Sequence, residues 1–336
     1  MNKDKRYYMA RVGNLNQIAY AKKAILTEGK ADGLRVINID NGGILACTLL
    51  EGRNLDIAKL SYKGINLGFL SKPGLVTSSQ TSASPGEFTR YFQGGMLYTC
   101  GLLNVGPNDS DERGLMPLHG RLGTTPAEEV NTKIDWDKGF VQVNSITRIA
   151  ALFNHNLVLK RSIKIPLFGK KIEIVDIVEN QGFIDEDIML LYHINFGWPM
   201  LSEYTTLKVT HDNVEPRDEE AKKGLNIWNT FETPRDVYPE QVFYHSPIKS
   251  KDDMAHATLW NEKLALGVDV SFDPRTLPQL IQWKSMAAGD YALGIEPSTN
   301  KVEGIKKEKE EGRILTLKPG EEKTFKIILK IIEKEN

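Results

Sequence analysis

Two short polar pairs set the chemical question. In LLYHINFGWPML, residues 190–201, His193 and Asn195 stand two apart in an otherwise apolar run. On a strand, alternate side chains share a face. His193 and Asn195 would then leave on one side, with Ile194 and Phe196 on the other. In GLMPLHGRLGTTPAEE, His119 and Arg121 have the same spacing, and Gly120 and Gly123 let backbone come close to a ligand. Glu296 ends the apolar run of GDYALGIEPSTN, just ahead of Pro297. A carboxylate at the end of a buried strand is costly unless partnered, and its pKa is a natural target for tuning. Arg53 and Asp56 flank Leu55 in EGRNLDIAKLSYKG, and Trp198 offers an aromatic face that could stack on a sugar ring. Each feature also has an ordinary reading: a core histidine bonded to a carbonyl, a glycine-rich turn, an edge glutamate, a local ion pair.

Other chemistries find little support. There is no HExxH and no His/Cys/Asp cluster at metal-ligand spacing. A GxSxG elbow is absent, as are GxGxxG and GxxxxGK[ST], which would cradle nucleotide phosphates. No aromatic–basic pattern suggests RNA binding.

The elements that must hold these residues read as strands. GLRVINID, ILACTLL, KGFVQVNSITRIAALF, LVLKRSIKIP, KKIEIVDIVEN, IMLLYHINF, TTLKVTHDNV, KLALGVDVSF and TFKIILKII are short β-type runs, several of them alternating. DNGG at 40–43 is a hairpin signal and FGKK at 168–171 a weaker one. Helix candidates are few: NQIAYAKKAILTEG near the start and EEAKKG. Without strand–helix alternation a parallel α/β sheet is disfavoured, and many short strands point to a large antiparallel sandwich or barrel. LVTSSQTSASPGEF reads as a disordered or site-bordering loop, and KVEGIKKEKEEGR as a solvated charged one.

At 336 residues the chain can bury one large β core or two ordinary ones. Its 43 basic and 44 acidic side chains nearly cancel, so no global field draws it to nucleic acid or an anionic membrane. Cys47 and Cys100 form no CxxC and suit a reducing compartment as small buried side chains. The start lacks a signal peptide's apolar core, and no apolar run approaches the roughly 20 residues of a membrane span. The expectation is a soluble cytoplasmic protein of one domain over 1–336, with 1–30 as an N-terminal extension.

In this order, EGRNLDIAKLSYKGINLGFLS, YFQGGMLYTCGLLNVG, PLHGRLGTTPAEE, LLYHINFGWPML and WKSMAAGDYALGIEPST resemble the aldose 1-epimerase (galactose mutarotase) superfamily. More closely, the chain looks like its mutarotase-like bacterial branch of the DUF4432 type. The resemblance runs from about residue 30 to the end. It implies an all-β supersandwich with the sugar in an open cleft on one sheet. It also implies Glu296 as catalytic base, His193 as catalytic acid and His119 as the histidine that orients the sugar. Mutarotation needs a base for the anomeric hydroxyl proton and an acid for the ring oxygen. Each step is a proton transfer, so no metal or redox cofactor is required.

Two departures concern the sugar contacts. Well-studied mutarotases carry an arginine ahead of the first histidine, where FQGGMLYTCGLLNVG has none. They also carry a sugar-binding Asp, near which this chain has YPEQVFYH with Glu240 or Gln241. Arg53, Asp56 and Arg121 are candidate replacements. An arginine reads carboxylate or phosphate bidentately, so an acidic or phosphorylated sugar is among the candidate partners, with a homodimer as candidate assembly. The leading reading is a cofactor-independent sugar epimerase. The alternatives are a non-catalytic carbohydrate-binding protein and another isomerase using the same Glu/His pair.

Overall fold

In a computed structural model, which describes residues 5–111 and 114–334, antiparallel sheets dominate the chain. An eight-stranded sheet runs Glu128–Asp135, Phe140–Ala150, Asn156–Pro166, Lys171–Asn180, Glu322–Glu333, Leu266–Phe272, Ala255–Asn261 and Thr205–Val209 in spatial order. Its sequence alternates because one face is buried and the other half-solvated. Val141, Val143 and Ile149 point inward on one strand, and Ile163 and Ile165 on the next.

The second large sheet follows His211–Pro216, Gln241–Pro247, Gln279–Ala287, Asp290–Ser298, Glu186–Phe196 and Leu315–Leu317. Tyr98–Leu102 also pairs with Glu186–Phe196. Here both faces are covered. Ile188, Leu190, Tyr192, Ile194 and Phe196 join the main core, while Met189 and Leu191 join a second cluster with Tyr98, Cys100, Val242, Tyr244 and Ile281. A five-stranded sheet, Tyr20–Ile25, Arg35–Asp40, Leu45–Leu50, Asp56–Tyr62 and Ile65–Asn66, closes the same main core. Burial of each Leu, Ile or Phe contributes about 1.5–3 kcal/mol, so this shared cluster ties the three sheets into a sandwich.

The DNGG and FGKK turns connect paired strands, as their residues suggest. Two local expectations are corrected. NQIAYAKKAILTEG is not a helix: Leu15–Gln17 is a single 3-10 turn, and Tyr20–Ile25 pairs with Arg35–Asp40 as an edge strand. Backbone pairing to an open sheet edge outweighs the helical propensity of its Ala and Lys residues. KVEGIKKEKEEGR is only partly a solvated loop, because Ile305–Glu310 is helical and Glu308 is fully buried against Arg313 at 2.7 Å. EEAKKG does form a helix, Glu219–Lys223, capped by the Asp218 carboxylate on Ala221 N–H. Both cysteines are buried thiols. No helix among the described residues is long and apolar enough to cross a membrane.

Candidate active site

The register of two central strands brings the polar residues together. Ile194 pairs with Ile295 and Asn195 with Gly294, which sets His193 beside Glu296 across the ladder. His193 continues the Met189–Leu191 face, so it leaves the sheet on the side away from the main core. Its Nε2 lies 3.2 Å from Glu296 Oε1. The contact is close but not aligned as a hydrogen bond: Glu296 Oε1 and His193 Nδ1 are both buried without a hydrogen-bond partner. Gly294 makes this approach possible. A Cβ there would sit 2.4 Å from Glu296 Oε1 and 3.1 Å from His193 Cε1.

The pair opens into a cleft of about 610 Å³. His119 enters from the opposite wall, its ring 6.2 Å from that of His193. Aromatic rings frame both imidazoles: Phe92 and Trp283 lie 5.3 and 5.6 Å from His193, and Phe88 lies 5.3 Å from His119. Phe88 and Phe92 stack on each other at 5.1 Å. They end the long polar loop, which therefore borders the site. At the rim, Trp283 Nε1 donates to Glu240 Oε2 at 2.8 Å, and Arg217 Nη2 donates to Glu240 Oε1 at 3.1 Å. Lys72 pairs with Asp290 at 2.6 Å.

Burial sets the protonation. It drives the His193 pKa down to about 3, helped by His119 and opposed by the Asn195 amide. It also takes His119 down to about 4. Burial, reinforced by Glu240 and opposed by Arg217, holds the Glu296 carboxyl well above the usual carboxylate range. Both members of the pair thus favour their neutral forms. Among the described residues no group of three or more His, Cys, Asp or Glu side chains is placed to hold a metal ion.

The structure brings His119, His193, Glu240 and Glu296 to one cleft. It does not bring the others there. Arg53 is fully buried and donates to the carbonyls of Gly123, Val76 and Tyr91 at 2.8, 3.0 and 3.2 Å. Asp56 is buried against Arg161 at 2.8 Å. As candidate sugar contacts both are corrected: neither lines the cleft, and their bonds run to internal partners, Arg53 Nη2 alone being left without one; Arg53 also fixes Tyr91, which packs on Phe88 at 5.6 Å. Arg121 faces a separate depression with Arg148 and Met116. The extended geometry assumed for His119 and Arg121 fails because His119 and Gly120 adopt φ of 59° and 73°, which turns the chain between them. Asn195 does share the His193 face, but it is fully buried and its amide donates to the His193 carbonyl at 2.9 Å. Trp198 lines the neighbouring groove. Sequence reasoning missed Phe88, Phe92, Arg217, Lys72, Asp290 and Trp283 as cleft residues. Phe88 and Phe92, four apart at the end of a polar loop, were the one available signal.

The family model described as Domain of unknown function (DUF4432) matches residues 31–331. No curated protein matches the sequence. A Klebsiella pneumoniae protein provisionally named an aldose 1-epimerase superimposes with a TM-score of 0.89 at 23% identity, over 93% of this chain and 83% of that one. A galactose mutarotase-like protein of Clostridium acetobutylicum gives 0.67 at 16%, over 95% and 100%. The galactose 1-epimerase of Lactobacillus acidophilus gives 0.61 at 13%, over 94% and 100%. At these identities the likeness carries the fold alone. The chain belongs to the DUF4432 family and has the galactose mutarotase-like fold.

Proposed function

We propose that the cleft interconverts the anomers of a sugar by acid–base ring opening, with His193 and Glu296 as the proton-transfer pair and His119 as the orienting group. The observation that carries this reading is the pair itself: two titratable side chains in contact across the ladder at 3.2 Å, each with an unpartnered polar atom, at the base of an aromatic-walled cleft. A structural pair would be expected to satisfy those atoms.

The chemistry follows from proton count. Burial favours the neutral form of each member, so the cycle starts from a protonated carboxyl beside a neutral imidazole. One internal transfer gives Glu296 carboxylate and His193 imidazolium. In that form Glu296 takes the anomeric hydroxyl proton while His193 protonates the ring oxygen. The C1–O5 bond breaks to the aldehyde, and the pair is back in its resting form. After rotation about C1–C2, His193 recovers the proton from the O5 hydroxyl as O5 attacks C1. Glu296 then returns a proton to the former carbonyl oxygen. No net charge enters or leaves the cleft, which suits its apolar walls. The rim cations are already matched, Arg217 by Glu240 and Lys72 by Asp290. This favours an uncharged sugar over an acidic or phosphorylated one.

The test is anomer exchange followed by NMR across free sugars, sugar acids and sugar phosphates. Exchange should be faster with the protein on at least one free sugar, and Glu296→Gln should slow it by about 10²–10⁴-fold. An unchanged rate in Glu296→Gln would overturn the assignment. Saturable binding without exchange would identify a carbohydrate-binding protein instead.

A further inference from the structure

The exposed Trp198 lies outside the cleft, yet a second groove of about 670 Å³ is built around it. The two depressions meet at Phe69, which lines both. The ridge between them is formed by Phe69–Lys72 and the turn at Gly289–Asp290, closed by the Lys72–Asp290 ion pair. Trp198 follows directly from the strand that carries His193. Gly197 lets that strand cross Phe69, since a Cβ there would lie 2.8 Å from the Phe69 Cα. Asn66 Nδ2 then donates to the Trp198 carbonyl at 2.9 Å, which fixes the backbone while the side chain stays 74% exposed. The indole is therefore presented to solvent along the groove.

Beside the apolar lining of Leu26, Val36, Ala58, Leu70 and Leu75, the groove carries a polar row. Asn38, Thr48 and Lys59 form a row across adjacent strands of the five-stranded sheet, Asn38 paired with Thr48 and Thr48 with Lys59. Thr48 Oγ1 donates to Asn38 Oδ1 at 2.8 Å. This leaves the Asn38 NH2, the Lys59 ammonium and the Asn66 amide oxygen without a protein hydrogen-bond partner among the described residues. A groove that combines an exposed aromatic side chain with unspent donors and an acceptor suits a pyranose, which has an apolar face and hydroxyls that both donate and accept. An apolar peptide would leave those polar groups buried and unpaired.

We propose that this groove is a second sugar subsite, so that the substrate is a disaccharide or longer glycan whose reducing-end unit enters the His193–Glu296 cleft while the next unit stacks on Trp198. The idea rests on the anomer-exchange reading for what the first unit undergoes, but not for its binding.

The experiment measures binding of lactose, maltose and cellobiose against galactose and glucose by NMR titration of the whole protein, alongside anomer exchange. At least one disaccharide should bind tenfold or more tightly than its own reducing-end monosaccharide. Trp198→Ala should remove that advantage and leave monosaccharide affinity unchanged, and Trp198→Phe should restore most of it. The side chain is exposed, so the variants should melt with the wild type. No disaccharide advantage, or one that survives Trp198→Ala, overturns the subsite. Disaccharide preference without exchange defeats the catalytic reading and leaves the subsite standing. Exchange without that preference does the reverse, and absence of any sugar binding counts against both.

Discussion

Tyr192 and His193 are neighbours in sequence that point to opposite faces of one strand, each into a polar cluster. On the core side, the Tyr192 hydroxyl donates to Asp176 at 2.8 Å. Arg161 binds Asp176 through Nε and Nη2 at 2.9 and 2.7 Å, Asp56 through Nη1 at 2.8 Å and Thr99 through Nη2 at 2.9 Å. Asp56 also accepts from Thr99 N–H and Oγ1 at 2.8 and 2.6 Å. On the cleft side, His193 and Glu296 touch without aligning, and one polar atom on each has no partner. Both clusters are buried, and both contain carboxyls whose pKa burial raises. The difference is saturation. Burial opposes the Arg161 charge, yet Asp176 and Asp56 overcome it and the guanidinium stays cationic. A saturated cluster can only hold the sheets together, whereas a cluster with spare valences can take a ligand's hydroxyls.

The largest effect is expected from unsaturating the core cluster. Arg161→Met removes the shared cation and leaves Asp56 and Asp176 buried with only hydroxyl, tyrosyl and backbone donors. Breaking a buried pair from one side costs about 3–5 kcal/mol, and here one cation serves two carboxylates. Denaturant unfolding should show a loss of at least that size, or no folded protein. A loss under 1 kcal/mol would show that the cluster is not held by its charges.

That same contrast explains what the sequence disclosed. The solvated sheet was legible because its period-2 pattern follows directly from one wet face, as in KKIEIVDIVEN. His193 and Glu296 were legible because polar residues inside apolar runs demand a reason. Arg53 and Asp56 looked equally demanding, but their partners come from Gly123, Val76, Tyr91 and Arg161, far away in sequence. Nothing local distinguishes a polar residue whose partners are internal from one that faces a cleft. Arg217 was invisible for the converse reason: it sits in the charged run VEPRDEE and gains meaning only when Glu240 and Trp283 arrive beside it.

A second test displaces the cleft pair without changing either member. Gly294 has ordinary backbone angles, so alanine is conformationally tolerated, but its Cβ would fall 2.4 Å from Glu296 Oε1. That oxygen ends a side chain and can swing away, so the stability cost should stay below about 1 kcal/mol. The proton-transfer geometry cannot follow, and a displacement near 1 Å costs on the order of 10²-fold. Gly294→Ala should therefore slow anomer exchange by roughly that factor with a nearly unchanged melting temperature. An unchanged rate would mean that the contact between His193 and Glu296 is incidental to the chemistry.

The smallest effect is also the most specific to an unsaturated neutral pair, and it is read in stability rather than rate. His193 has its pKa lowered from 6.5 to about 3, so between those values the unfolded chain holds a proton that the folded one lacks. Its contribution to stability is present above pH 6.5 and is lost as pH falls toward 3. Glu296 has its pKa raised above 4.5, so just above that value the folded chain holds a proton that the unfolded one lacks. Its contribution is present below pH 4.5 and is lost as pH rises. Above pH 4.5 the two contributions run in opposite directions, so the pair's net pH dependence is smaller than that of His193 alone. Glu296→Gln removes one slope and leaves the other, because burial, and secondarily His119, lowers the His193 pKa without help from Glu296. The variant should lose more stability than the wild type on acidification, by up to about 1.4 kcal/mol per pH unit, measured by denaturant unfolding at pH 6 and pH 5. Parallel pH profiles for the two proteins would show that the pair does not rest with its proton on the carboxyl and its imidazole neutral.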